Sequence, residues 1–257
     1  MASWNRTDRD WQEWGEKNPY FGVFSDPKFL NANLNEDSLA EFFASGERHV
    51  DHVFEVIRKS VSPAFTSNRV LDYGCGIGRL VLPFAARSHS VVGVDVSPGM
   101  LAQAQENCKK LGISSACFLQ VHEMDALEPA SFDLVHSFIV FQHIPVTRGE
   151  QILRRLIALL SEGGVGAIHF SYCDTRPVLW AYAKALRQRV SFVHRMFNMA
   201  QGRPFSTPVM QMNSYSINRL FDILLDANCS NVHVEFSVHG VHRGTMIYFQ
   251  KSPARLL

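Results

Sequence analysis

Short apolar runs alternate with amphipathic stretches through the middle of this chain. Apolar runs of about four to eight residues that end in turn residues predict buried strands, and apolar residues spaced three and four apart predict helices. Strands that alternate with helices in this way form a parallel, doubly wound α/β sheet with short, right-handed crossovers. The runs predict five such strands, at residues 69–73, 90–95, 117–121, 132–138 and 164–170.

The pattern changes on both sides of this alternation. Residues 38–59 predict a helix that packs beside the first strand, and residues 215–228 predict a last helix. Two alternating runs follow at 231–238 and 244–250, joined around Gly240. This connection is too short for a helical crossover, so the last strand should be antiparallel to its neighbour.

Two additions surround the predicted core. Residues 1–37 are rich in aromatic and turn residues and predict an irregular cap, whereas an insertion at 174–213 carries an amphipathic helix. Between Arg176 and Arg203 the insertion has six basic residues and no acidic ones. These charges form a solvated helix face over the pocket, a guide for an anionic substrate, or a weak contact with a membrane surface.

Length and composition favour a single elaborated domain. The chain has 257 residues, of which 46% are hydrophobic and 19% are charged, enough to bury one full α/β core. We expect one domain, 1–257, in four parts: a cap and helix at 1–60, a core at 61–171, the insertion at 174–213, and the last helix and hairpin at 214–257.

Charge and cysteine content narrow the partners and the compartment. The net charge of +1 gives no electrostatic case for a nucleic-acid partner. The five cysteines lack C-x-x-C spacing, which predicts free thiols in a reducing compartment. The chain shows neither a signal-peptide core nor an apolar run of about 18 residues, so we expect a cytoplasmic protein without a transmembrane segment.

Three alternating glycines follow the first strand in the pattern D-x-G-x-G-x-G, formed by Asp72, Gly74, Gly76 and Gly78. Glycines let the backbone turn sharply and lie against a ligand, and the helix that follows offers unpaired N–H groups. A dinucleotide fingerprint, G-x-G-x-x-G, would need a glycine where Arg79 stands. The loop therefore predicts a nucleotide cofactor other than NAD or FAD.

The second strand ends in Asp95, 21 residues after Gly74, where a carboxylate can accept both hydroxyls of a ribose. Together with the glycine loop, this arrangement resembles motif I and its neighbour in class I S-adenosylmethionine-dependent methyltransferases of the small-molecule type. The resemblance is close over residues 69–171 and looser beyond them. It implies S-adenosylmethionine as cofactor and a Rossmann-like sheet of seven strands, six parallel and one antiparallel.

The same resemblance implies a role for each matching residue. Asp72, Gly74, Gly76 and Gly78 would hold the methionine end of the cofactor, and Asp95 the ribose. For Asp125, whose implied contact is with the adenine amino group, the alternative is a capping or surface aspartate. The other implied contacts are Val96 and Met100 at the adenine ring, Asp125 with Ala126 at the adenine amino group, and Phe138 where methyl donor and acceptor meet.

The segment after the fourth strand narrows the acceptor. It reads Ser137-Phe138-Ile139-Val140, whereas DNA and protein-glutamine amino methyltransferases resemble one another in an Asn- or Asp-Pro-Pro-aromatic tetrad at this position. Adenine and amide N-methylation are therefore disfavoured. The paired acid and amide of metal-dependent catechol enzymes is also missing from the sequence, so we expect no catalytic metal.

Gln142-His143-Ile144-Pro145 resembles the end of the fourth-strand motif in small-molecule methyltransferases, where the histidine is a proton acceptor or a structural cap. Methyl transfer needs acceptor, methyl carbon and sulfur in line, and it needs a base only for a hydroxyl or ammonium acceptor. His143 is the first candidate base. His239 or His242 from the hairpin comes next, and the histidines expected to be inert are His49, His52, His89 and His194.

The sequence therefore predicts a methyltransferase that acts on a small-molecule or glycan-like acceptor, with a hydroxyl favoured. The N-terminal aromatic segment and the insertion would form the acceptor pocket. Two alternatives stay open: a catalytically inactive S-adenosylmethionine-binding regulatory or partner subunit, and, less favoured, a nicotinamide-dependent dehydrogenase.

Overall fold

The computed structural model of the protein describes residues 4–177, 199, 208 and 210–253. The predicted insertion helix lies outside these described residues. One sheet of seven strands runs in the order β3-β2-β1-β4-β5-β7-β6. The strands are β1 (Arg69–Tyr73), β2 (Ser90–Asp95), β3 (Ala116–Gln120), β4 (Phe132–Ser137), β5 (Leu160–Asp174), β6 (Cys229–His239) and β7 (His242–Lys251).

Strand directions confirm the predicted sheet. The first five strands run parallel to one another, whereas β7 runs antiparallel to both β5 and β6. Six strands therefore share one direction and β7 opposes them. The turn between β6 and β7 contains Gly240 with a φ of 61°, a left-handed conformation that glycine adopts without strain.

Local capping fixes where two of the helices begin. Asn35 and Ser38 form a capping box, each side chain accepting a hydrogen bond from the other residue's backbone N–H. The Oγ of Ser97 accepts from the backbone N–H of Met100 at 3.3 Å, and Pro98 opens that helix. The helices are α1 (Trp4–Lys17), α2 (Pro19–Val23), α3 (Glu36–Val56), α4 (Val81–Ala85), α5 (Pro98–Lys110), α6 (Val146–Leu159) and α7 (Ile217–Asp226).

Both faces of the sheet are buried. Along β1, Val70 belongs to the core beneath α3 and α4, and its neighbour Leu71 belongs to the core shared with α6 and α7. Alternate residues of a strand point to opposite faces, so two-sided burial requires the continuous apolar runs seen in the sequence. Within the described ranges, no helix is long and apolar enough to span a bilayer.

The N-terminal cap is helical rather than irregular, which corrects the sequence-based expectation. Pro19, taken there as a turn residue, stands at the start of α2, where the missing N–H of proline costs nothing. Trp14, Phe29 and Met100 share a third cluster of buried side chains. Because a Cβ added at Gly15 would lie 2.2 Å from the Oγ of Ser97, α1 packs directly on the start of α5.

Candidate active site

A cavity lies at the carboxyl ends of β1, β2 and β4. Its walls are the glycine loop, the residues that follow β2 and β4, and the N-terminal helices α1 and α2. Open α/β sheets bind their ligands at this edge, because the strand order reverses there and leaves a crevice. The sequence-predicted loop and the N-terminal cap therefore meet at one cavity.

The glycine loop forms a cradle that side chains would fill. Gly74 and Gly76 have φ values of 74° and 53°, and a Cβ at either position would lie 2.3 Å from Val140 or 2.5 Å from Val23. The N–H of Gly74 donates to the carbonyl of Val94 at 2.7 Å, which ties the loop to β2. The backbone can therefore approach a ligand closely at these two positions.

Asp95 organises the loop from the end of β2. Its Oδ2 accepts from the N–H of Gly76 and its Oδ1 from the N–H of Ser97, both at 2.9 Å. Burial raises the pKa of Asp95 to about 6, although the hydrogen bonds from Ser97 and Gly76 oppose this rise. The next residue, Val96, lines the cavity, and so does Met100.

Asp72 contributes a buried carboxylate to the cavity floor. Its Oδ1 lies 2.8 Å from the Nδ1 of His136, while its Oδ2 is buried and has no hydrogen-bond partner among the described residues. Arg79 also lines the cavity; burial lowers its pKa to about 10, and the nearby Asp72 carboxylate opposes this effect. An unpaired carboxylate oxygen is costly to bury, so it marks a place where a cationic group would be stabilised.

The segment that follows β4 contains strained backbone at the cavity. Ile139 has a φ of 59°, which is unusual for a β-branched residue, and its neighbour Val140 packs over Gly74. Backbone strain of this kind costs about 1–3 kcal/mol and is concentrated at functional sites. Phe138, Ile139 and Val140 all line the cavity.

His143 lines the cavity with both ring nitrogens engaged. Its Nδ1 lies 2.6 Å from the carbonyl oxygen of Gln211, which can only accept, so Nδ1 carries the proton. The unprotonated Nε2 then accepts from the side-chain amide of Gln142 at 3.2 Å, and the Oε1 of Gln142 accepts from the hydroxyl of Ser171 at 2.8 Å. Burial lowers the pKa of His143 to about 4, so the ring is neutral near pH 7.

The comparison with known families identifies the core. Residues 70–164 match the model of the family described as methyltransferase domain. This part of the chain is a methyltransferase domain. Among the described residues, no group of three or more His, Cys, Asp or Glu side chains is placed to hold a metal ion.

Curated relatives and a solved structure extend the comparison. A 23S rRNA (uracil(1939)-C(5))-methyltransferase of Stenotrophomonas maltophilia is 34% identical over 35% of this chain and 16% of its own length. A ubiquinone biosynthesis O-methyltransferase of Bradyrhizobium is 37% identical over 44% of this chain and 43% of its own length. The chain therefore spans less than half of either relative.

Magnesium protoporphyrin IX methyltransferase from Synechocystis PCC 6803, solved with bound S-adenosylmethionine, has the same fold. It is 14% identical, its TM-score is 0.59, and the match covers 96% of this chain and 97% of that chain. At this level of identity the likeness shows the fold alone.

The methyltransferase domain gathers most of the sequence-predicted site residues at the cavity and leaves three outside it. Asp125 and Ala126 are exposed, and the Asp125 carboxylate pairs with the guanidinium of Arg155 at the surface. Gly78 is not among the residues that line the cavity, and a Cβ added there would lie 3.3 Å from the Cβ of Ala104 in α5. The predicted residues that line the cavity are Asp72, Gly74, Gly76, Asp95, Val96, Met100, Phe138 and His143.

Other cavity residues of the methyltransferase domain and its cap carry no motif and were not predicted as site residues. Asp8 of α1 accepts from Arg148 of α6 at 2.6 Å, and both side chains line the cavity. Trp11 lies with its ring centroid 4.8 Å from that of His143. Arg79 directly follows the glycine loop, and this position was the one feature of the sequence that could have marked it as a site residue.

His49 and His136 are two further residues whose contacts the sequence did not predict. His49, expected to be inert, has its Nε2 3.0 Å from the Nε2 of His136, which in turn bonds Asp72. In the sequence, His136 could have been singled out because it is a polar residue within the apolar fourth strand. The other histidines expected to be inert include exposed His89, as well as His52, whose Nε2 lies 2.9 Å from Glu235.

Proposed function

We propose that the chain is an active S-adenosylmethionine-dependent methyltransferase that methylates a small-molecule or glycan-like hydroxyl. The observation that carries the proposal is the Oδ2 of Asp72, which is buried without a hydrogen-bond partner in the part of the chain that the structure describes, beside a glycine cradle that side chains would fill. A carboxylate at this place suits a ligand with a cationic sulfonium and an ammonium group, whereas it would repel a diphosphate.

We assign the cofactor to the residues that line the cavity. Asp72 would hold the ammonium group and Arg79 the carboxylate of its methionine end, because the pair offers one negative and one positive charge. Asp95 would accept from the ribose hydroxyls, and Val96 and Met100 would flank the adenine. In this proposal Asp125 makes no adenine contact, because its side chain pairs with Arg155 at the surface.

A small acceptor is supported by the position of the helical cap. Trp11 and Asp8 of the cap stand in the cavity wall, so a bulky polymer would need the cap to move. The ubiquinone biosynthesis relative is named for an O-methyl transfer, while the rRNA methyltransferase matches over a smaller share of the chain. The net charge of +1 gives no support to a nucleic-acid acceptor.

The proposal includes a cytoplasmic location, which the five free cysteines support, since free thiols are typical of a reducing compartment.

The experiment that tests the function incubates the purified chain with S-adenosylmethionine and a panel of phenols, catechols, hydroxylated quinone precursors and sugars. We expect release of S-adenosylhomocysteine that depends on one class of hydroxyl. Tight cofactor binding without release from any acceptor would favour the inactive regulatory or partner subunit.

Cofactor affinity should depend on pH through Asp95. The pKa of Asp95 is about 6 in the unliganded protein, against an ordinary value of 3.8, so the folded state takes up a proton as pH falls through about 6. That proton adds stability at low pH, which is lost as pH rises, but it removes the charge that accepts the ribose hydroxyls. We expect calorimetric affinity to be constant above about pH 7 and to fall roughly tenfold per pH unit below about pH 5.5.

The matched control for this prediction is Asp95→Asn, which keeps the shape and cannot ionise. Its affinity should be lower than that of the parent at pH 7.5 and nearly independent of pH between 5 and 7.5. A parent whose affinity also stays constant down to about pH 5 would show that the Asp95 carboxylate does not bind the ribose.

For His143, the hydrogen bonds favour the structural alternative over the proton-acceptor role. We expect His143→Ala to lower the free energy of unfolding by about 1–3 kcal/mol, because buried partners in Gln142 and Gln211 lose their bonds. Turnover per folded molecule should stay within about tenfold of the parent. A loss of ~10²–10⁴-fold, together with loss of the acid limb of the pH–rate profile, would instead assign the base to His143.

A further inference from the structure

A chain of three side chains leads from the cavity floor to helix α3. The Oδ1 of Asp72 lies 2.8 Å from the Nδ1 of His136, and the Nε2 of His136 lies 3.0 Å from the Nε2 of His49. Asp72 and His136 are buried and are direct register partners on β1 and β4. The sheet therefore fixes the first contact, and α3 brings His49 to the second.

The hydrogen bonds determine where the protons lie. A carboxylate accepts, so His136 carries a proton on Nδ1. Between the two Nε2 atoms one proton is shared, and placing it on His49 leaves the Nε2 of His136 as the acceptor. The Nδ1 of His49 keeps a lone pair and makes no hydrogen bond to any residue that the structure describes.

The surroundings keep His49 neutral near pH 7. Burial holds the pKa of His49 well below its ordinary value, and His136, Arg79, His52 and His169 add to this effect. Arg79 comes from the glycine loop, His136 from β4, His169 from β5, and His52 from α3 itself. A neutral imidazole with a free lone pair can accept a proton.

His49 also lies beside the wall of the cavity. Its ring centroid is 4.0 Å from that of Phe138, which lines the cavity in the strained segment that follows β4. His169 lies across the same ring, at 5.4 Å, with its Nδ1 buried and unpartnered among the described residues. The residues around Phe138 thus present polar but neutral nitrogens at the edge of the site.

We propose that His49 accepts the proton of the acceptor hydroxyl and that His136 and Asp72 stabilise the charge that this creates. The inference rests on the proposed function. The O–H bond of the acceptor breaks and its proton moves to the Nδ1 of His49, while the oxygen forms a bond to the methyl carbon. The carbon–sulfur bond breaks with its electron pair left on sulfur, which gives S-adenosylhomocysteine and the methyl ether.

The relay then moves charge to where it is compensated. His49 passes its Nε2 proton to the Nε2 of His136, so the imidazolium lies against the Asp72 carboxylate. The sulfonium charge is lost in the same reaction, so the net charge of the site stays constant, which avoids the cost of adding a buried charge. His143 has no free nitrogen for this role, since both its ring nitrogens are hydrogen-bonded.

The first test reads the tautomers directly. Nitrogen-15 NMR of the full chain with labelled histidine, assigned by His49→Gln and His136→Gln, should show His136 protonated at Nδ1 and His49 protonated at Nε2 at pH 7.5. A proton on the Nδ1 of His49, or an imidazolium at that pH, would overturn the proposal. This readout holds whether or not an acceptor has been found.

The second test separates base catalysis from structural damage. Phenol must lose a proton on methylation, whereas 4-nitrophenol is already ionised at about pH 8.5 and needs no base. We expect His49→Gln, which keeps an N–H donor toward His136, to lower the rate with phenol by ~10²-fold or more and the rate with 4-nitrophenol by less than about threefold. The acid limb of the pH–rate profile with phenol should also disappear.

The control for this test is His89→Gln, which changes an exposed histidine far from the relay in sequence and should leave both rates and the profile unchanged. Equal losses of His49→Gln with both phenols, or no loss with either, would contradict the proton-acceptor role. A parent that binds S-adenosylmethionine but releases no S-adenosylhomocysteine would instead contradict the proposed function, and the nitrogen-15 tautomers would still decide the relay.

Discussion

Replacing Gly74 with alanine is expected to abolish measurable S-adenosylmethionine binding and to lower the free energy of unfolding by about 2–5 kcal/mol. The backbone of Gly74 has a φ of 74°, a region that costs an L-residue about 1–2 kcal/mol. The new Cβ would also lie 2.3 Å from the Cγ2 of Val140, so the loop or the strained segment that follows β4 must shift. Both segments line the cavity, and calorimetry with denaturant unfolding checks the two effects.

Gly163 offers a matched control for this substitution. Its φ of 75° is nearly the same, but a Cβ there would have no described neighbour within 4 Å. Gly163→Ala should therefore lower the free energy of unfolding by only about 1–2 kcal/mol and leave cofactor affinity unchanged. Equal losses of stability in the two variants, with normal cofactor affinity in Gly74→Ala, would show that the loop does not approach the ligand.

The second large effect is expected from Asp72→Asn. The amide keeps an oxygen for the Nδ1–H of His136 and removes the charge that the buried Oδ2 offers to a cationic group. S-adenosylmethionine affinity should fall by about 1.5–3 kcal/mol, the usual loss when a hydrogen bond to a charged group is weakened. The unliganded variant should stay close to the parent in stability, because a neutral amide costs less to bury than a carboxylate.

The control for Asp72→Asn is Asp133→Asn, which changes an aspartate that also lies in a strand but at the other end of it. The Oδ2 of Asp133 accepts from the N–H groups of Asn68 and Arg69 at the opposite end of the strands. This variant should lose some stability and bind S-adenosylmethionine normally. If both variants bind the cofactor as the parent does, the methionine end does not lie at Asp72.

The sheet was predictable because its signals are local. A strand buried on both faces must be apolar throughout, and the predicted strand at 132–138 became β4, Phe132–Ser137, with one residue of difference. β5 is longer than its apolar run, Leu160–Asp174 against 164–170, since Leu160 pairs with β4 and Asp174 pairs with β7. Such pairing depends on neighbours that the run itself does not reveal.

The positions of the glycine loop and Asp95 at the cavity were predictable for the same reason, because backbone turns and strand ends leave local signatures. Asp125 was not, since its partner Arg155 comes from α6 and no spacing in the sequence joins them. His49 and His136 are 87 residues apart and meet only when α3 crosses the sheet. Side-chain networks between distant elements are decided by packing, which periodicity does not describe.

Calorimetric titration of the full chain with S-adenosylmethionine, and separately with NAD, tests the central claim most directly. The arrangement of Asp72, Arg79 and Asp95 around the glycine cradle predicts one bound S-adenosylmethionine per chain, weakened in Asp72→Asn, and no heat of binding from NAD. Saturable binding of NAD with no binding of S-adenosylmethionine would contradict the account.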